Sequence, residues 1–171
     1  SIQGAIDASE SGAVISIPAG SYFESLEIDK PIDLQGNSDV TLYSAGYSIG
    51  ITVSSSDVSI SGLSVIGGEL TFAGIVVEPG SDNIKILNNS ISDIFYQVPQ
   101  DDSPHGYGIL VYGDSSPADP PTDILIDSNT VLNILGAGIS LGNMTENVTV
   151  SNNLVTNIAP AMINGQELSA G

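Results

Sequence analysis

Apolar and polar positions along this chain fall into a block that keeps returning. Gly50-Ile51-Thr52-Val53 comes back as Gly74-Ile75-Val76-Val77, Gly108-Ile109-Leu110-Val111 and Gly138-Ile139-Ser140-Leu141. Met162-Ile163-Asn164-Gly165 reads as a degraded copy. The steps are 24, 34, 30 and 24 residues, so two are one bare period and two carry insertions of about ten and about six. Self-similarity at a period of about 20–50 residues marks a solenoid. Two further short runs follow each copy. The first holds Val58/Ile60, Ile84/Ile86, Ile124/Ile126 and Val148/Val150; the second starts at Leu63/Val65, Asn89/Ile91, Asn129/Val131 and Asn153/Val155. Apolar residues at i and i+2 predict strands with one face inward.

Three short strands per turn of about 24 residues, β-branched on the inside, predict the coil of a parallel β-helix. A leucine-rich repeat would need a helical segment in each repeat and its own Leu spacing. The coils are expected near 24–46, 49–70, 73–105, 107–136 and 137–160. Counting back 24 from Ile51 reaches Glu27, so residues 26–28 should be the first copy of the organising strand. Residues 1–10 read as a short amphipathic helix with Ser1 as its cap, Ile2, Ala5, Ile6 and Ser9 on one face, and Gly12 ending it. A solenoid exposes its core at each end, so this helix should be the N-terminal lid. The organisation expected is one domain, 1–171, with a cap at 1–12, coils at 13–160 and a partial, uncapped coil at 161–171, either complete or a piece of a longer chain. An open last coil carries unpaired strand edges, where copies could stack end to end. Asn89, Asn129 and Asn153 recur at matching bends and are expected to form a structural ladder, in a left-handed corner backbone.

Composition narrows the function. The 171 residues include no Cys, Trp or Arg, and Lys30 and Lys85 stand against 20 acids, for a formal charge of −18. A nucleic-acid partner is excluded, since phosphate binding relies on Lys and Arg. An anionic membrane surface is disfavoured for the same reason. No run approaches the 18 or so apolar residues of a membrane span. The surplus of carboxylates attracts cations. Three N-glycosylation tripeptides occur, at Asn88-Asn89-Ser90, Asn143-Met144-Thr145 and Asn147-Val148-Thr149. In a chain so rich in Asn, Ser and Thr, such tripeptides also arise by chance.

The insertions are where chemistry would gather. Residues 95–107 precede the strand at 108–111 and residues 113–122 follow it, so both should flank one face. Insertions confined to one face of a solenoid often mark its binding face. Outward residues of that layer are Thr52, Ser54, Val76, Glu78, Leu110, Tyr112, Ser140, Gly142, Asn164 and Gln166. Asp101, Asp102, His105, Tyr107, Tyr112, Asp114, Asp119 and Glu78 would converge there. Asp101, Asp102 and Asp114 suit a Ca2+ site, because hard cations take several carboxylate oxygens. His105 with Asp101, Asp102 or Asp114 suits general acid–base catalysis. Tyr107, Tyr112, Glu78 and Asp119 are the candidate ligand contacts. The plain alternative is an acidic, solvated pair of turns with Tyr107 and Tyr112 packed beneath them.

The run "SIQGAID…GAVISIPAGSYFESLEIDKPIDLQG" resembles the opening of right-handed parallel β-helix proteins of the pectin-lyase-like superfamily. The phrases "NNSI", "SNTV" and "SNNLV" are similar to the repeats of its surface and periplasmic members. The resemblance covers nearly the whole chain and implies an all-β, right-handed, single-stranded solenoid of about five coils. It implies no one activity, since that group holds lyases, hydrolases, esterases, epimerases and plain surface proteins. The cationic residues of its polyuronate lyases, and the polygalacturonase and pectin esterase patterns, are missing. Asp102-Ser103-Pro104-His105 is similar to the Asp-Pro-His segment of alginate epimerases, but Ser103 interrupts it. The reading is a non-catalytic extracellular or cell-surface module with a structural or self-assembly role, in contact with Ca2+ or glycans. The alternative is a carbohydrate-active enzyme, a polysaccharide lyase, epimerase or hydrolase, that uses the face between loops 95–107 and 113–122. A third is a carbohydrate-binding module that does not self-assemble. An enzyme needs His105 clustered with carboxylates, a scaffold needs a packed interface at 161–171, and a binding module needs the Tyr107 and Tyr112 rings exposed side by side.

Overall fold

The computed structural model describes residues 1–37, 39–97, 105–112 and 119–159, together with the backbone of 162–163 and 166–167. Helix α1 spans Ile2–Ala8, and the Ser1 hydroxyl caps it by accepting from the Gly4 amide at 3.0 Å. Ile2 and Ile6 are buried, whereas Ala5 is exposed, so the inward stripe is narrower than expected. The helix also stops sooner than Gly12. The Ser9 amide and hydroxyl both bond the Ile6 carbonyl, at 3.1 and 2.8 Å, and so take the acceptor that the Glu10 amide would need in a longer helix. Gly12, at φ +83°, serves the turn into the first strand.

The chain then winds through short strands. Strands β1 (Ala13–Ser16) and β2 (Gly20–Tyr22) make a partial coil. Three coils follow, formed by β3 (Leu26–Ile28), β4 (Ile32–Gln35) and β5 (Val40–Tyr43), by β6 (Ile49–Val53), β7 (Val58–Ser61) and β8 (Ser64–Ile66), and by β9 (Ala73–Val77), β10 (Ile84–Leu87) and β11 (Ser90–Ile94). Strands β12 (Gly106–Val111), β13 (Thr122–Asp127) and β14 (Thr130–Leu141) continue the path, and β15 (Glu146–Ser151) and β16 (Leu154–Ala159) complete the fifth coil. Like strands stack in parallel into three sheets. The first sheet is β1-β4-β7-β10-β13-β15. The second runs β2-β5-β8-β11, then the first half of β14, then β16, and the third runs β3-β6-β9-β12 and the second half of β14. Strand β14 is long because it turns from one sheet into the next without a break.

The expected register holds, with Ile51 opposite Ile75, Ile75 opposite Ile109 and Ile109 opposite Ile139. One count shifts: Leu26 lies opposite Ile51, and Glu27 opposite Thr52, so the first step is one residue longer than 24. Stacked Ile, Val and Leu fill the interior from Leu26 to Ile134. Each fully buried Ile contributes roughly 1.5–3 kcal/mol. In the fifth coil the inward Val150 and Val155 are 44% and 41% exposed, as no described coil lies beyond them. Met162 and Ile163, the described part of the degraded copy, do not join the parallel sheets. Strand β17 (Met162–Ile163) pairs antiparallel with β18 (Gln166–Glu167), and Asn164 and Gly165 lie outside the described residues.

The repeating glycine has a steric cause. A Cβ on Gly50 would sit 2.6 Å from the Gly74 carbonyl oxygen and 2.9 Å from Val65 Cγ1. On Gly74, Gly108 and Gly138 it would overlap Ile91, Val131 and Val155 in turn. The second sheet's apolar column thus occupies the space where side chains of the third would otherwise point. The asparagine ladder also forms. Asn129 Nδ2 donates to the Ile86 carbonyl at 2.8 Å, and its Oδ1 accepts from the Asn89 amide at 2.9 Å. Asn153 Oδ1 accepts from the Asn129 amide at 2.8 Å, and Asn89 Oδ1 from the Leu63 amide at 3.0 Å. The left-handed corner residue is the preceding one, Gly62, Asn88, Ser128 or Asn152, and not the ladder asparagine itself.

Candidate functional site

The outer face of the third sheet carries a row in register, Thr52, Val76, Leu110 and Ser140. Its middle is apolar and covered. Val76 is 1% exposed and Leu110 7%, although both point away from the solenoid interior. With Ala73 they form a second apolar cluster, against which Ile49, Phe72 and Tyr107 pack. Phe72 meets Tyr107 at 5.2 Å between centroids and 66°, and Tyr96 at 5.7 Å and 88°. Both are edge-on arrangements favoured by ring quadrupoles. The Tyr107 amide donates to the Phe72 carbonyl at 2.8 Å, and the His105 amide to the Tyr96 carbonyl at 3.2 Å. The first bond pins the end of the longer insertion to the preceding coil, and the second ties the insertion's two ends to each other.

Beside this cluster lies an open groove of about 300 Å³ lined by Phe72, His105, Tyr107, Leu110, Tyr112 and Gly142. Tyr112 is 45% exposed, while Tyr107 is half-buried against Phe72. The two tyrosines therefore share a groove without both rings being free. Of the other expected contacts, neither Glu78 nor Asp119 lines it. Glu78 follows β9, its amide bonded to the Val53 carbonyl, and the Asp119 carbonyl accepts from the Gly80 amide at 2.8 Å. Asp101, Asp102 and Asp114 lie outside the described residues, and with them the expected Ca2+ site and the carboxylate partners of His105. Among the described residues no group of three or more His, Asp or Glu is placed to hold a metal ion. Both lysines are elsewhere: Lys30 donates to the Ile6 carbonyl at the end of α1, and Lys85 is on β10 in the first sheet. Phe72 is the residue that sequence reasoning missed. It stands one place before the apolar run of β9, outside the period-two pattern, and only the stacking of coils brings it to Tyr107.

One carboxylate elsewhere is tuned by its surroundings. Asp127 accepts from the Ser151 hydroxyl at 2.6 Å, the Ser128 hydroxyl at 2.8 Å and Asn152 Nδ2 at 2.8 Å. These bonds, Ser151 first, hold its pKa below the ordinary 3.8.

The family model for the right-handed β-helix region matches residues 38–167, about three quarters of the chain. The chain belongs to the right-handed β-helix family. Three stacked parallel sheets, a continuous aliphatic interior and the asparagine ladder are how these residues build that fold. No match was found among curated proteins or solved structures.

Proposed function

We propose that this β-helix is a non-catalytic, extracellular module that binds an uncharged oligosaccharide along the outer face of its third sheet. The observation that carries the reading is the groove where the one ring left free, Tyr112, stands exposed on a rigid sheet beside the partly buried Phe72 and Tyr107, so a single exposed ring takes the place of the pair first required. Aromatic faces pack on the C–H face of a sugar ring, while the hydroxyl of the exposed Tyr112 offers a hydrogen bond to its hydroxyl groups. The formal charge of −18, with neither lysine at the groove, disfavours a polyuronate. Helix α1 packs on the first coil, and Gln3 bonds to both Glu27 backbone groups at the edge of β3. A copy stacking head to tail would have to displace it, so the module reading does not depend on filaments.

The test is calorimetric titration with neutral and uronate oligosaccharides, with Ca2+ and with a chelator. A neutral glycan should bind, and Tyr112→Ala should weaken it at least about tenfold, or about 1.4 kcal/mol. Tyr47→Ala removes an exposed tyrosine that does not line the groove and should leave affinity unchanged. A glycan that binds equally well to Tyr112→Ala would refute the assigned face.

A further inference from the structure

Three asparagines are left over from the bonds that hold the coils together. Asn89, Asn129 and Asn153 each commit the side-chain amide to a carbonyl of an earlier coil. Asn83 donates to Asp57, Asn133 to Asp93, Asn157 to Asn133 and Asn152 to Asp127. The Asn37 side-chain oxygen accepts from the Asp39 amide. Among the described residues, only Asn88, Asn143 and Asn147 keep their side chains out of any hydrogen bond, and all three are exposed. These same three, and no other asparagine of the chain, begin an Asn-x-Ser/Thr tripeptide. Chance tripeptides would fall on ladder and free asparagines alike. Here the division between bonded and free side chains coincides with the division between asparagines outside and inside the motif.

We propose that Asn88, Asn143 and Asn147 are acceptor sites for N-linked glycans. The donor would be a glycan carried on a lipid phosphate or pyrophosphate. Asparagine Nδ2 attacks C1 of the first sugar and a C–N bond forms. The C1–O bond breaks, the lipid phosphate leaves with its electron pair, and the amide proton passes to a base of the transferring enzyme. A sugar on any of these three breaks no bond of the fold. On Asn129 it would remove the donor to the buried Ile86 carbonyl. Asn143 occupies the turn between β14 and β15, Asn147 lies in β15, and Asn88 sits at the corner between β10 and β11. Asn88 and Asn143 flank the first sheet and Asn147 lies in its last strand, and none lines the aromatic groove.

The proposal rests on the extracellular placement above, because such donors are used outside the cytoplasm. The test takes the protein from the cells that make it, maps its peptides by mass, and measures its surface exposure on the same cells with a non-permeant protease. Whole-glycan masses are expected on the peptides holding Asn88, Asn143 and Asn147, and none on those holding Asn129 or Asn153 without a motif asparagine. A surface-exposed protein bare at all three sites would overturn the glycan proposal and leave the extracellular reading standing. A protein confined inside the cell and bare would overturn both.

Discussion

Asn129 shows how much one side chain can hold in a coil this narrow. It is 1% exposed and serves the Ile86 carbonyl, the Asn89 amide and Asn153 Oδ1 together. Leaving a buried polar group unpaired costs about 1–3 kcal/mol. Asn129→Ala is therefore expected to lose at least about 2 kcal/mol in urea unfolding, and Asn153→Ala, half-buried in the last described coil, less. The ladder was legible because Asn89, Asn129 and Asn153 recur at one point of the repeat. The left-handed position beside it was not, because Gly62, Asn88, Ser128 and Asn152 meet the same backbone demand with four different sequence contexts and three residue types. Asp127 gives a pH test. Its folded pKa is depressed, so its contribution is present above 3.8 and is lost as pH falls through the folded value. Asp127→Asn should melt lower than the parent at pH 7, and the gap should close in strong acid. A gap that widened on acidification would contradict the three hydrogen bonds.

At the scale of the element, the third sheet is shaped by what its strands cannot carry. The repeat Gly50, Gly74, Gly108 and Gly138 was plain in the sequence, but its cause is a neighbour from another strand, Val65, Ile91, Val131 or Val155. No local pattern reveals that neighbour. Gly74→Ala should cost about 1–3 kcal/mol by overpacking against Ile91. Gly46→Ala meets nothing within 4 Å and should be close to neutral in the same denaturation series. The helix and the tail fell short of the pattern for related reasons. Ser9 took the carbonyl that a longer α1 would have needed, and β17 found its partner in β18 rather than in the preceding coil. Both outcomes turn on competition for backbone partners, which period-two and period-3.6 patterns do not encode.

For the molecule as a whole, a 24-residue period was enough to place the coils and the interior, and the register to within one residue at the first coil. It also located the face bearing the candidate site, since the insertions flank β12. The site's composition was only half legible. His105, Tyr107 and Tyr112 do line one groove, yet Phe72 joins them from the previous coil, and Glu78 and Asp119 stand apart. Residues distant in sequence meet here by stacking, so their meeting depends on insertion lengths as well as on the repeat. The most direct test of the binding face is a pair of amide correlation spectra, with and without the tightest neutral glycan found by titration. Shifts are expected to cluster at Phe72, His105, Tyr107, Leu110, Tyr112 and Gly142. Shifts confined to the first sheet, around Ser59, Lys85 and Leu125, would contradict it.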